Sequence, residues 1–94
     1  MVDADRFEVR FNGTPGRLGN TKVFHFLARL HRARGVYLPL ATLGADVWEN
    51  AGVAKGTVHR VAAAARRTLV ALGLPWDALD GSSKDHYRLV TPAA

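Results

Sequence analysis

The sequence predicts a small α+β domain, three helices set between two β segments, and three observations carry that prediction. Residues 7–12 alternate apolar and polar with the period of two that a half-buried strand requires. Apolar side chains then recur at helical spacing in three separate stretches, each followed by glycine or by a turn that contains one. Near the end, the polar run Asp80–Asp85 stands between two short segments of strand character, the pattern of an antiparallel hairpin.

Phe7, Val9 and Phe11 alternate with Glu8, Arg10 and Asn12, and Asn12-Gly13 supplies a turn dipeptide, so a first hairpin or meander is expected. Pro15, Gly16 and Gly19 keep the returning strand, around Arg17-Leu18, short. The first helix spans about 21–34: Asn20 or Thr21 caps it, Phe24, Leu27 and Leu30 share a face with Val23 and Phe26 beside them, and Gly35 follows Arg32 and Arg34. Val36-Tyr37-Leu38 reads as extended chain. Pro39 then opens a second helix, about 40–48, with Leu40, Leu43, Val47 and Trp48 as its stripe. A turn with Asn50 and Gly52 leads to the third helix, about 54–72, where Val58, Ala62, Ala65, Leu69 and Leu72 give the most regular pattern in the chain and Gly73 ends it. After Pro75, Trp76–Leu79 and His86–Val90 form the closing hairpin. Trp48, Trp76, Tyr37 and Tyr87 fall where a small core needs large apolar groups and are assigned to it. Residues 1–94 make one domain, with 1–5 and 91–94 as loose ends.

A chain of 94 residues, 48% of them hydrophobic, buries roughly two thirds of its unfolded surface, enough for one core and too little for a large catalytic fold. With no cysteine there is no disulfide framework, thiolate metal site or cysteine nucleophile. No apolar run approaches the ~20 residues of a bilayer span, and Met1–Asp5 have neither the basic run nor the apolar stretch of a secretory leader. A cytoplasmic, nucleoid-associated protein without membrane contact is expected. The four histidines never fall at i, i+4 on one helix, Gly13–Thr21 has the wrong length and Asn20 where a phosphate loop needs lysine, and Ser82 and Ser83 lack orienting partners. No metal, cofactor, catalytic residue or small-molecule substrate is therefore expected, and the chain reads as a non-enzyme.

The formal charge of +5 is ordinary, but its placement is not. Val9–Ala45 holds Arg10, Arg17, Lys22, Arg29, Arg32 and Arg34 with no acid, and Asn50–Trp76 holds Lys55, Arg60, Arg66 and Arg67 with none either. Acid-free basic segments predict a positive face.

In this order and spacing, "VYLPLATLGADVW", "TVHR" with the paired arginines of "ARRTL", and the terminal "HYRLV" resemble the winged helix-turn-helix effector domain of OmpR/PhoB-type response regulators. The likeness covers nearly the whole chain. It implies a third helix lying in the major groove of double-stranded DNA, a hairpin wing alongside, and a role in transcriptional regulation. Ala62 and Ala65 stand where the family carries larger aliphatics, which implies closer helix approach, and His86 stands where glycine usually precedes the wing tyrosine. Glu49–Val53 is shorter than the loop through which many family members touch RNA polymerase. No receiver domain fits within 94 residues, so control by phosphorylation implies a separate protein.

With Val58, Ala62, Ala65 and Leu69 inward, Thr57, His59, Arg60 and Ala63 are the candidate base contacts, Arg60 having the fork that grips guanine. The candidate backbone contacts are Arg66 and Arg67 farther along, Lys55 and Gly56 at the helix start, Lys84 and Arg88 in the hairpin, and Lys22 at the start of the first helix. One module covers only about 600–1,000 Å², so a homodimer on adjacent half-sites or a separate regulatory protein is expected. The alternative is a winged-helix adaptor, of the kind phages encode, that docks another protein on the same surface. Structured RNA ranks below both, since no stacking platform for splayed bases is visible.

Overall fold

A computed structural model describes residues 2–90. In chain order the elements are β1 (Val2–Asp3), β2 (Glu8–Phe11), β3 (Thr14–Arg17), α1 (Lys22–Arg32), β4 (Leu38–Pro39), α2 (Leu40–Trp48), α3 (Lys55–Ala71), a 3-10 turn (Trp76–Ala78), β5 (Leu79–Asp80) and β6 (His86–Leu89). The class is α+β, with three helices and two antiparallel sheets of three strands each among the described residues.

The N-terminal sheet runs β1-β2-β3, with Val2 opposite Val9, Asp3 opposite Glu8 and Phe11 opposite Thr14. Val2 and Asp3, expected within a loose end, thus form a strand, and the Asp3 carboxylate accepts from the backbone N–H groups of Asp5 and Arg6 to close the turn behind it. The other expected loose end, 91–94, lies outside the described residues. Asn12 and Gly13 are both left-handed, as a two-residue hairpin turn demands. The returning strand starts at Thr14, earlier than expected, and Leu18 N–H still donates to the Phe7 carbonyl at 3.0 Å.

Simple alternation fails at the entry to β2. Phe7 takes φ 50°, outside strand geometry, so β2 begins only at Glu8. Val9 is fully buried as expected, but Glu8, expected outside, is buried too, with Arg10 at 3.8 Å as its ion-pair partner. Phe7 instead meets Phe24 edge-to-face at 5.3 Å. Gly16 lets this sheet settle on the carboxyl half of α3, because a Cβ there would stand 3.1 Å from Leu72 Cδ1 and 3.3 Å from Val9 Cγ2.

Thr21 caps α1 by accepting from Phe24 N–H. The helix ends at Arg32, two residues before the expected limit, because Arg34 and Gly35 both turn left-handed. α2 keeps its expected bounds, and Glu49 at φ 55° reverses the chain after it. Here a glycine is obligatory: a Cβ on Gly44 would lie 2.6 Å from the Asn50 carbonyl oxygen and 2.8 Å from Val53 Cγ1. The α2–α3 turn therefore rests directly on the α2 backbone, with Asn50 N–H donating to the Gly44 carbonyl at 3.0 Å. α3 turns Val58, Ala62, Ala65 and Leu69 inward as the spacing predicts, and all four are buried with Phe26, Leu27, Leu30 and Leu43 of α1 and α2. No helix among the described residues is long and apolar enough to cross a membrane.

The C-terminal sheet has the order β4-β6-β5, pairing Leu38 with Tyr87 and Leu79 with Leu89. Two expectations change. The first hairpin strand has two residues rather than four, because Pro75 leads into a 3-10 turn, and β4 completes the sheet on its other side. In that turn Ala78 packs inward while Trp76, assigned to the core from sequence, is 67% exposed. Tyr87 is buried against the edge of Phe26, and Tyr37 and Trp48 are half-buried.

Gly44→Ala should lose about 1–3 kcal/mol of stability through overpacking against Asn50, whereas Gly56→Ala, with open space around it in α3, should gain up to about 1 kcal/mol. Urea unfolding of the two variants measures the contrast, and equal effects would disprove the backbone contact.

Candidate nucleic-acid interface

α3 presents His59, Arg60, Ala63 and Arg67 to solvent, with Thr57 half-buried at their edge. No acidic residue occurs in the helix, and among the described residues no side chain caps its amino end at Ala54. Lys55 and Gly56 therefore begin a helix whose first N–H groups and positive dipole end face outward. Among the described residues Arg60 and Arg67 form no ion pair, so both guanidiniums keep their full donor capacity. His59 is partly committed: its Nδ1 and the Tyr87 hydroxyl are hydrogen-bonded at 2.5 Å, which leaves Nε2 toward solvent as the available ring atom. Burial pushes the Tyr87 hydroxyl up, so it stays protonated near neutral pH.

The C-terminal hairpin is held by a carboxylate hub. Asp80 Oδ2 accepts from the Tyr37 hydroxyl at 2.7 Å and from Arg88 Nε at 2.8 Å, while Oδ1 accepts from Ser82 Oγ at 2.6 Å and Ser82 N–H at 2.9 Å. The Arg88 guanidinium also lies 4.5 Å above the Tyr37 ring. The Ser82 hydroxyl first, then Tyr37 and the Ser82 amide, hold the Asp80 carboxyl well below the ordinary carboxylate range. A second brace runs from α3: Arg66 Nε donates to the Trp76 carbonyl at 3.2 Å and its Nη2 to the Leu79 carbonyl at 2.5 Å, with the Trp76 ring 4.7 Å from the guanidinium carbon. At the hairpin's return, Lys55 Nζ meets Asp85 Oδ2 at 2.9 Å, and this contact draws the Asp85 carboxyl down.

The expected backbone-contact residues thus divide. Arg67, Gly56 and Lys84 are exposed, and among the described residues Arg67 and Lys84 form no ion pair, as a contact surface requires. Arg66, expected on the outer face, is half-buried, and its donors reach the Trp76 carbonyl of the 3-10 turn and the Leu79 carbonyl of β5. Arg88 is held by Asp80 and Tyr37 within the same sheet. Lys22 donates to the Val47 carbonyl at 3.1 Å and so completes the carboxyl end of α2. Lys55 is exposed but shared with Asp85. Of the expected base-contact residues, Arg60 and Ala63 are fully presented, His59 in part and Thr57 least. Sequence reasoning did not reveal the Asp80 hub, although Asp80 and Ser82 two residues apart are a recognisable side-chain turn. No protein-family model and no curated protein matches the chain.

Asp80→Asn should cost about 1–3 kcal/mol at neutral pH by weakening a charge-assisted cluster 13% exposed on its acidic member. A depressed folded-state pKa contributes stability that is complete above the ordinary value of 3.8 and is lost as the pH falls below it. Urea unfolding from neutral pH to about pH 3 should therefore show a steeper loss for the native chain than for the asparagine variant.

Proposed function

We propose that the chain is a winged helix-turn-helix module that binds double-stranded DNA in transcriptional regulation, with α3 in the major groove. The observation that carries this reading is the outer face of α3: Arg60, Ala63 and Arg67 exposed, both arginines outside any ion pair among the described residues, no carboxylate in the helix, and an uncapped amino end. The element order supports it, since α2 and α3 joined by a tight turn and followed by a hairpin beside α3 are what such a module needs. In this reading Arg60 reads a base edge, Ala63 allows close approach to the groove, and Arg67, Lys84 and the α3 amino end hold phosphates.

The hairpin then serves chiefly as a brace. Arg88 and Arg66 are spent inside the molecule, so the wing adds less phosphate contact than its composition suggests. Lys55 is the exception. Its ion pair with Asp85 is exposed, with 66% of the lysine side chain open to water, and a phosphate at the α3 amino end would compete with the carboxylate for it. A single module would bury about 600–1,000 Å², so strong specific binding calls for two copies on adjacent half-sites or a partner protein.

Anisotropy titrations with a random duplex test this reading. About three to four neutralised phosphates give a slope of log K against log[salt] of about −3 to −4. Arg67→Ala should weaken binding to every duplex and flatten that slope by about one, while Arg66→Ala should act mainly on stability. Arg60→Ala should instead reduce discrimination between sequences by about 1–3 kcal/mol. Asp85→Asn, by releasing Lys55, should tighten binding. No duplex binding at low salt, or binding indifferent to Arg60 and Arg67, would sink the DNA reading and favour protein docking on this face.

A further inference from the structure

We propose a second docking surface, at the carboxyl end of α1, that receives an acidic, aliphatic peptide segment of a partner protein. An open groove of about 610 Å³ lies there, lined by His31, Arg32, Arg34, Gly35, Leu89 and Val90. Among the described residues, no acidic residue lines it. Arg32 and Arg34 are exposed and in no ion pair among the described residues, in contrast with Arg29, which is held by Asp46 at 2.7 Å one turn earlier. His31 titrates below its ordinary value of 6.5, first through burial and then through neighbouring positive charge that includes Arg34. The field in the groove is positive.

The apolar component comes from the rim. Among the described residues four large hydrophobic side chains stand exposed, and two of them, Val36 at 60% and Val90 at 42%, belong to or adjoin the lining. Val90 lines the groove itself, and Val36 directly follows Gly35, which also lines it. Two guanidiniums next to two aliphatic side chains match a segment that alternates carboxylates with branched aliphatics, the former gripped by planar forks and the latter shielding the valines. A DNA backbone offers the valines nothing. The groove is lined from the end of α1 and the end of β6, with no α3 residue among its lining, whereas α3 is fastened to β5 through Arg66 and the Leu79 carbonyl. The surface is therefore separate from the face assigned to DNA, and each stands or falls alone.

The test uses the whole ¹⁵N-labelled chain and a short synthetic peptide of alternating Glu and Leu. Amide shifts should be confined to residues 31–36 and 89–90. Arg32→Ala/Arg34→Ala should lower the affinity about tenfold and Val36→Ser about threefold, with near-ultraviolet circular dichroism unchanged because all three positions are exposed. A glutamate-only peptide should bind more weakly, and Arg60→Ala/Arg67→Ala should leave peptide binding intact. The proposal is overturned by an absence of shifts, by shifts on α3, by affinity indifferent to Arg32 and Arg34, or by equal binding of the glutamate-only peptide. Groove shifts produced by a random duplex would assign the surface to nucleic acid instead and overturn it as well.

Discussion

The carboxylate of Asp80 is the contact on which the C-terminal half of the molecule depends. β5 is only two residues long and pairs with β6 through Leu79 and Asp80, too little backbone to hold a hairpin in place. Asp80 supplies the missing constraint by accepting from the segment before β4, from the turn after β5 and from β6 at once. A charge this well covered would be costly if left alone. Here each oxygen has two donors, so the desolvation is offset and the sheet gains a fixed geometry.

Arg66 transmits that geometry to α3. Its guanidinium reaches carbonyls on both sides of the 3-10 turn, and the exposed Trp76 ring covers it. The helix and the hairpin are thereby joined by a charged side chain in addition to the apolar core to which Leu69, Leu79 and Leu89 belong. Basic residues in this chain thus fall into two physical kinds. Arg66, Arg88 and Lys22 satisfy oxygen atoms within the fold, while Arg60, Arg67, Arg32 and Arg34 remain available to an outside partner.

That division was not legible in the sequence, and the reason is specific. Spacing alone places Arg66 beside Arg67 on the outside of α3, and nothing local indicates that a 3-10 turn will bring two open carbonyls within its reach. Trp76 was misread for the same cause, since Pro75 redirected a segment whose composition resembles a strand. Glu8 and Val9 are neighbours in β2 and both are buried, so the strand is covered on both faces at its start, which apolar alternation does not report. The three helices, by contrast, were plain, α2 to the residue, because each carries its own apolar stripe and stop signal. The inward face of α3 was equally readable: Val58, Ala62, Ala65 and Leu69 are all buried. What a residue faces was legible; what it is bonded to depended on distant turns.

The placement of Arg60, Ala63 and Arg67 has an evolutionary corollary. All three are exposed, two are charged without an ion-pair partner among the described residues, and the helix beneath them is anchored by other side chains. Changes at these positions meet no packing penalty, so they are free to diversify while the scaffold stays the same. Arg66, adjacent in sequence, has no such latitude. Descendants of this chain would be expected to vary in the letters they present to the outside and to keep the one that fastens the helix down.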